Sequence, residues 1–191
     1  AVTVTDIESF DDKIVHKTIS FDGGKIAITT TNNSENWDCI VKVIDETNGK
    51  RAAYVRTYLT PKEVEVNPGT YTLEIQALTN MKGLETNTEI ANVQVEAGKT
   101  IAKSYNFTTG KVFVDAQVNG TSVDSMVTID EIKSGTNVAG GRTYDRGKEF
   151  LLNPGQYEIK IQLLGVHKDR AAQVITVEVK KDDSITKTLQ F

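Results

Sequence analysis

Gly24-Lys25 returns as Gly110-Lys111, 86 residues further on, and nearly everything that follows it returns in step. Arg56-Thr57-Tyr58 recurs as Arg142-Thr143-Tyr144, Asn67-Pro68-Gly69 as Asn153-Pro154-Gly155, and Tyr71 as Tyr157. No insertion or deletion breaks this register from Gly24 to Leu78. A chain that copies one unit of roughly 85 residues, turn residues included, is a tandem array of small domains. The expected division is a partial unit over 1–22, a first repeat over 23–108 and a second over 109–191.

Each unit reads as seven short strands. The first runs over 25–31 and 111–117. The second follows with Trp37, Cys39, Val41 and Val43 on one face, matched by Val123, Ser125, Val127 and Ile129. Alternation at period two marks a half-buried strand. Turns at Thr47-Asn48-Gly49 and Lys133-Ser134-Gly135 place glycine where positive φ is needed. After the Arg-Thr-Tyr strand and a short strand, at 63–66 and 149–152, the Asn-Pro-Gly turn feeds the clearest alternation. Tyr71, Leu73, Ile75 and Ala77 share a face there, as do Tyr157, Ile159, Ile161 and Leu163. A closing hairpin is expected over 92–107, around Ala97-Gly98-Lys99, and over 176–191 in the copy. Strands this short, with turn signals every ~8–12 residues and no helical period, read as all-β sandwiches. Residues 14–21 resemble 100–107 and 184–191, with Lys17, Lys103 and Lys187 in register and a phenylalanine at each end. Residues 2–21 therefore read as an N-terminal hairpin from a partial third repeat, docked on the first unit.

The Asn67–Tyr71 and Asn153–Tyr157 turns resemble those of bacterial extracellular β-sandwich modules, namely the transthyretin-like or carboxypeptidase-regulatory-like domains and the PEGA-type repeats. Gly135, Gly141-Arg142-Thr143 and Pro154-Gly155-Gln156-Tyr157 are similar to tandem units that sit beside von Willebrand factor A-type domains in exported bacterial proteins; Val55 before Arg56 departs from the pattern. The resemblance implies two tandem Ig-like or transthyretin-like sandwiches with a structural or adhesive role, in the periplasm, on the cell surface or secreted. Turn chemistry fixes fold better than function.

Composition sets the outer limits. With 38% hydrophobic and 25% charged residues the chain is that of a folded protein. The net charge of −4 carries no basic block, so nucleic acid is not an expected partner. No apolar run approaches the ~20 residues of a membrane helix. The sequence opens at Ala1 without methionine, which fits either removal of a signal peptide or a trimmed start. The lone Cys39 rules out an intrachain disulfide and a thiolate metal cluster.

No motif carries catalysis. A nucleophile elbow, a phosphate-cradling loop and a His-Glu-x-x-His are all missing. The acidic pairs do not match a calcium loop, and His16 and His167 lack metal-ligand spacing. No enzyme activity, metal or cofactor is therefore expected. Tyr71 and Tyr157 read as tyrosine corners. Arg56 with Tyr58, and Arg142 with Tyr144, could clamp a carboxylate, yet a motif duplicated within the chain favours a role in the fold, with the guanidinium over the ring. Lys103 and its equivalents guard an edge strand or, on a sharper reading, form an isopeptide crosslink, for which Glu74 is poorly placed. The expected function is binding or display of a protein partner. Glycan binding through Trp37, Tyr54 and Tyr58, and regulation of an attached enzyme, are the alternatives. The copies differ most after the long strand, where 79–92 is two residues longer than 165–176. The candidate partner surface is therefore Met81, Lys82, Leu84, Glu85 and Glu89, with His167, Lys168 and Arg170.

Overall fold

A computed structural model describes residues 12, 14–16 and 22–191. The expected hairpin over 2–21 lies outside them. The first unit contains β1 (Gly24–Asn32), β2 (Glu35–Asn36), β3 (Cys39–Asp45), β4 (Lys50–Arg56), β5 (Lys62–Val66), β6 (Gly69–Ala77), β7 (Met81–Lys82), β8 (Asn87–Val95) and β9 (Thr100–Phe107). The second contains β10 (Gly110–Val118), β11 (Thr121–Ser122), β12 (Ser125–Glu131), β13 (Thr136–Arg142), β14 (Lys148–Leu152), β15 (Gly155–Leu163), β16 (Gln173–Val179) and β17 (Ser184–Gln190). Seven strands of each unit recur, and the remainder are two-residue pieces. A 3-10 turn at Gly165–His167 is the one helical segment among the described residues.

In each unit two sheets face one another. β4-β3-β6-β8 forms one, and β1 carries β5 and β2 on one side and β9 on the other. The second unit repeats this as β13-β12-β15-β16 against β10 with β14, β11 and β17. The alternating strands put their apolar side chains between the sheets, where Leu73, Val41 and Val43 are wholly buried, as are Ile159, Ile161 and Val127. Full burial of one such side chain contributes about 1.5–3 kcal/mol. The buried side chains gather into two clusters, one spanning Ile26 to Phe107 and the other Val112 to Leu189.

The closing hairpin is where the structure corrects the sequence reading. β8 pairs with β6, whereas β9 crosses to the opposite sheet and lies parallel to β1, Lys25 opposite Thr100 through Asn32 opposite Phe107. β16 and β17 part in the same way. The turn at Ala97-Gly98-Lys99 is thus an arch between sheets. Its hydrogen bonds run to the start of β1: Gly98 N–H donates to the Gly23 carbonyl (2.9 Å) and Lys25 N–H to the Lys99 carbonyl (2.8 Å). This arch also explains the repeated Gly-Lys. A Cβ at Gly24 would overlap Val95 and the Glu96 carbonyl, and one at Gly110 would overlap Val179 and the Lys180 carbonyl.

β9 pairs with β1 alone among the described residues and so is an edge, with Lys103 on it; Lys187 sits likewise on β17. Charged side chains there discourage pairing with another chain. Lys17 lies outside the described residues.

The length difference between the copies is split. Ile90 faces Leu73 as Ile175 faces Ile159, but Val95 faces Gly69 as Val179 faces Gly155. One extra residue is therefore a bulge at Asn92, whose N–H donates to Glu46 Oε1 (2.9 Å). The other belongs to the connection that carries β7.

Candidate functional site

The repeated Arg-Thr-Tyr tripeptide is a corner built around an aspartate that the sequence reading passed over. Thr57 is buried and ties β3 to the end of β4: its Oγ1 accepts from Cys39 N–H (2.9 Å), and its own N–H donates to the Cys39 carbonyl (3.0 Å). Thr143 does the same with Ser125 (2.9 Å for each bond). Arg56 Nε donates to Asp38 (2.9 Å), and Tyr58 N–H donates to the same carboxylate (3.0 Å). Arg142 and Tyr144 repeat this on Asp124, at 2.6 and 3.0 Å. The guanidinium carbon of Arg56 lies 4.6 Å from the centre of the Tyr58 ring, and that of Arg142 lies 4.9 Å from Tyr144. Strand alternation does not bring the ring there. Tyr58 and Tyr144 follow the strands in left-handed conformation, with φ of 49° and 53°. Asp38 and Asp124 stand in the same 86-residue register, which is the signal that could have found them.

The Arg56 hydrogen bond holds the Asp38 carboxyl below its usual range, against the opposing effect of burial, with the Tyr58 N–H adding to the depression. Asp124 is lowered in the same way by Arg142. A carboxylate depressed on folding supplies stability that is present above its unfolded value and lost as pH falls through the folded one. Asp38→Asn is therefore expected to cost about 1–2 kcal/mol near neutrality, with the gap to wild type closing below about pH 4, as read by urea unfolding across pH.

Tyr71 and Tyr157 are buried, and each phenol donates to a carbonyl four residues back, to Asn67 (2.7 Å) and Asn153 (2.8 Å). Burial, with Glu131 and Glu85 nearby, pushes the Tyr157 phenol up to about 12. The folded state keeps this proton when the unfolded chain would lose it. Stability is expected to fall as pH rises from about 10 towards 12, a loss that Tyr157→Phe removes at its own cost of about 1 kcal/mol.

The candidate partner surface divides. Met81 is only 5% exposed and packs into the first unit's buried cluster, so it is no contact for an outside partner. Met81 and Lys82 form β7, which joins the second unit's sheet in parallel, opposite Leu151 and Leu152. Leu151 packs in turn against the first unit's cluster. Glu85 N–H donates to Asn153 Oδ1 (3.0 Å) and Asn153 N–H to the Lys82 carbonyl (3.0 Å). Lys82 and Glu85 engage the joint through their backbone while their side chains stay exposed, as do Leu84 at the tip and Glu89 on β8. His167, Lys168 and Arg170 lie at the corresponding end of the second unit, where Gln162 Nε2 holds the Lys168 and Arg170 carbonyls (3.0 and 3.1 Å). The two halves of the expected surface therefore occupy different ends of the second unit.

What the structure assembles around β7 is a joint. Asn32 Nδ2 donates to Thr109 Oγ1 (2.8 Å), which donates back to Asn32 Oδ1 (3.1 Å). Asn33 Nδ2 donates to the Thr109 carbonyl (2.8 Å), and Thr109 N–H to Asn33 Oδ1 (3.0 Å). Asn153 Nδ2 donates to the Thr108 carbonyl (3.1 Å). Asn32, Thr109 and Asn153 are all buried. Buried polar groups paired this fully fix one geometry, because any slip strands them without partners.

Beside the joint lies an open cleft of ≈ 1230 Å³, bordered by Trp37, Leu59, Asn80, Lys82, Lys148 and Asp183. Trp37 is half-buried, with its Nε1 donating to the Leu78 carbonyl (3.1 Å). Tyr54 and Tyr58 are exposed, and each ring is faced by an arginine, Arg51 and Arg56. Among the described residues the one aromatic pair is Tyr105 with Phe107, so Trp37, Tyr54 and Tyr58 form no shared stacking platform. Cys39 is buried, which pushes its thiol up and leaves it unreactive.

No family model matches the chain. No curated protein matches it in sequence. Among solved structures it is similar to the TIE protein of Bacillus anthracis, at 18% identity and TM-score 0.41, covering 88% of this chain but only 34% of that one. A candidate adhesin of Bacteroides ovatus gives 10% identity and TM-score 0.49, covering 94% and 95% of the two chains. The shaft pilin SpaA of Lactobacillus rhamnosus GG gives 9% and 0.45, covering 88% and 96%. At such scores the likeness carries no functional weight, and the reading below rests on the chain's own residues.

Proposed function

We propose that the chain is a non-enzymatic structural module of an exported bacterial protein. Two sandwich domains, 23–108 and 109–191, are held at a fixed mutual orientation so that they space or display a protein partner. The observation that carries this reading is the joint. A flexible tether would leave Thr108 and Thr109 in solvent, whereas here Thr109 is buried and bonded on its N–H, carbonyl and hydroxyl. The exported, surface-associated setting follows from the resemblance of the Asn-Pro-Gly-x-Tyr turns. Backbone ¹⁵N relaxation tests the mechanical part. Both units are expected to tumble with one correlation time suited to a 21.0 kDa body, and two shorter, separate times would sink the spacer reading.

A glycan-binding role draws on one feature, the cleft that Trp37 borders. Trp37 is the chain's single tryptophan, so its fluorescence reports on that cleft without interference. A saturable shift of its emission with a panel of oligosaccharides would favour this role over the purely mechanical one.

A further inference from the structure

The joint uses one end of the first unit as a plug and the opposite end of the second unit as a socket. The 86-residue register maps the socket residues Thr109, Leu151, Leu152 and Asn153 onto Gly23, Glu65, Val66 and Asn67. Those lie at the start of β1, a strand's length away from the joint, because Gly24 pairs with Val66. β5 is bonded to β1 on one side, and among the described residues its outer edge carries no strand. Asn67 is exposed where Asn153 is buried. A shallow cleft of ≈ 550 Å³ runs beside this edge, with Val66 and Tyr71 beneath it and Asp45 and Glu65 on its rim.

The plug also has a second copy. Asn33 corresponds to Asn119, and both hold the left-handed conformation at φ 50°. The connection after β15 puts Val166, 92% exposed, just ahead of His167 and Lys168, which stand where Met81 and Lys82 stand in the first unit. The facing residues change together. In the joint Met81 lies opposite Leu151, apolar on apolar, and the same register sets His167 opposite Glu65. Lys168 and Arg170, opposed in that loop only by Asp169, complement the acidic rim of Asp45 and Glu65, and His167 adds a ring N–H donor.

We propose that copies of this chain associate head to tail, with residues 166–168 of one copy laid as a short parallel strand on the β5 edge of the next. The 3-10 turn of Gly165–His167 opens on docking, as Met81–Lys82 is open in the joint. Edge addition supplies main-chain hydrogen bonds, and the charges supply register. The contact joins two different surfaces, so it adds copies in a row instead of closing a dimer. It is a small interface, and exposed charges within it are screened by salt.

Sedimentation velocity on the full chain tests this. At low salt the weight-average sedimentation coefficient is expected to rise with concentration up to about 1 mM, and Glu65→Lys is expected to weaken association at least about tenfold. The charge swap Glu65→Lys with His167→Glu in one chain is expected to restore it. Three results overturn the proposal: a concentration-independent monomer, association indifferent to Glu65→Lys, or failure of the swap to rescue. A fourth does so as well. If association appears only after residues 1–21 are removed, the socket belongs to the chain's own N-terminal segment.

Discussion

Replacing Gly110 with valine is expected to destabilise the second unit by about 3 kcal/mol or more, a large fraction of the stability of a small domain. A Cβ alone at this position would run into the Lys180 carbonyl and Val179 at the arch that carries the chain from β16 to β17. Backbone on one side and a packed core residue on the other leave nothing flexible to move aside. Gly135→Ala serves as the contrast: its Cβ would meet open space, so only its left-handed φ of 65° is at stake, about 1 kcal/mol. Thermal unfolding followed by circular dichroism separates the two. Equal, small losses in both variants would mean that the arch yields and that the Gly-Lys repeat has some other cause.

The second large effect is expected at Asn153. Asn153→Ala removes the acceptor of Glu85 N–H and the donor to the Thr108 carbonyl in a buried setting, at a cost of about 2–4 kcal/mol. It is also expected to split one unfolding transition into two, because the first unit would lose its hold on the second. Asn67→Ala alters the same letter of the same motif in the other copy, where the side chain is exposed, and is expected to stay within about 0.5 kcal/mol of wild type. If calorimetry shows the two variants to be equally mild, the side chain of Asn153 does not hold the joint.

That contrast marks the limit of what the sequence discloses. The repeat register, the alternation in β6 and β15 and the tyrosine corners are local, period-two or turn signals, and they appear in the fold as read. Asn67 and Asn153 are identical in sequence and differ only because one faces the neighbouring unit. The arch between β8 and β9 reads as a hairpin in the sequence because Ala97-Gly98-Lys99 serves either geometry; the choice is made by β1, which accepts β9 as a parallel neighbour. β7 has two residues and no pattern of its own, and it exists because β14 presents an edge to it. Met81 to Glu89 reads as a variable recognition loop for the same reason that makes it a joint: it contacts something outside its own repeat.

The ion-paired corners show the converse. Arg56 and Tyr58 could be paired from sequence, but the carboxylate that organises them, Asp38, sits just before β3, in a stretch whose alternation drew attention to Cys39 and Val41. With Asp38 in place, the arginine's Nε and one terminal nitrogen are already engaged, which makes this motif a fastening of strand ends and a poor clamp for an outside ligand.

The fixed joint is tested most directly by residual dipolar couplings of the backbone amides in a weakly aligned sample of the full chain. Couplings from 24–107 and from 110–190 are expected to fit a single alignment tensor with the structure held rigid. Two tensors of different magnitude, each fitting its own unit, would show that the units reorient independently and would contradict the account.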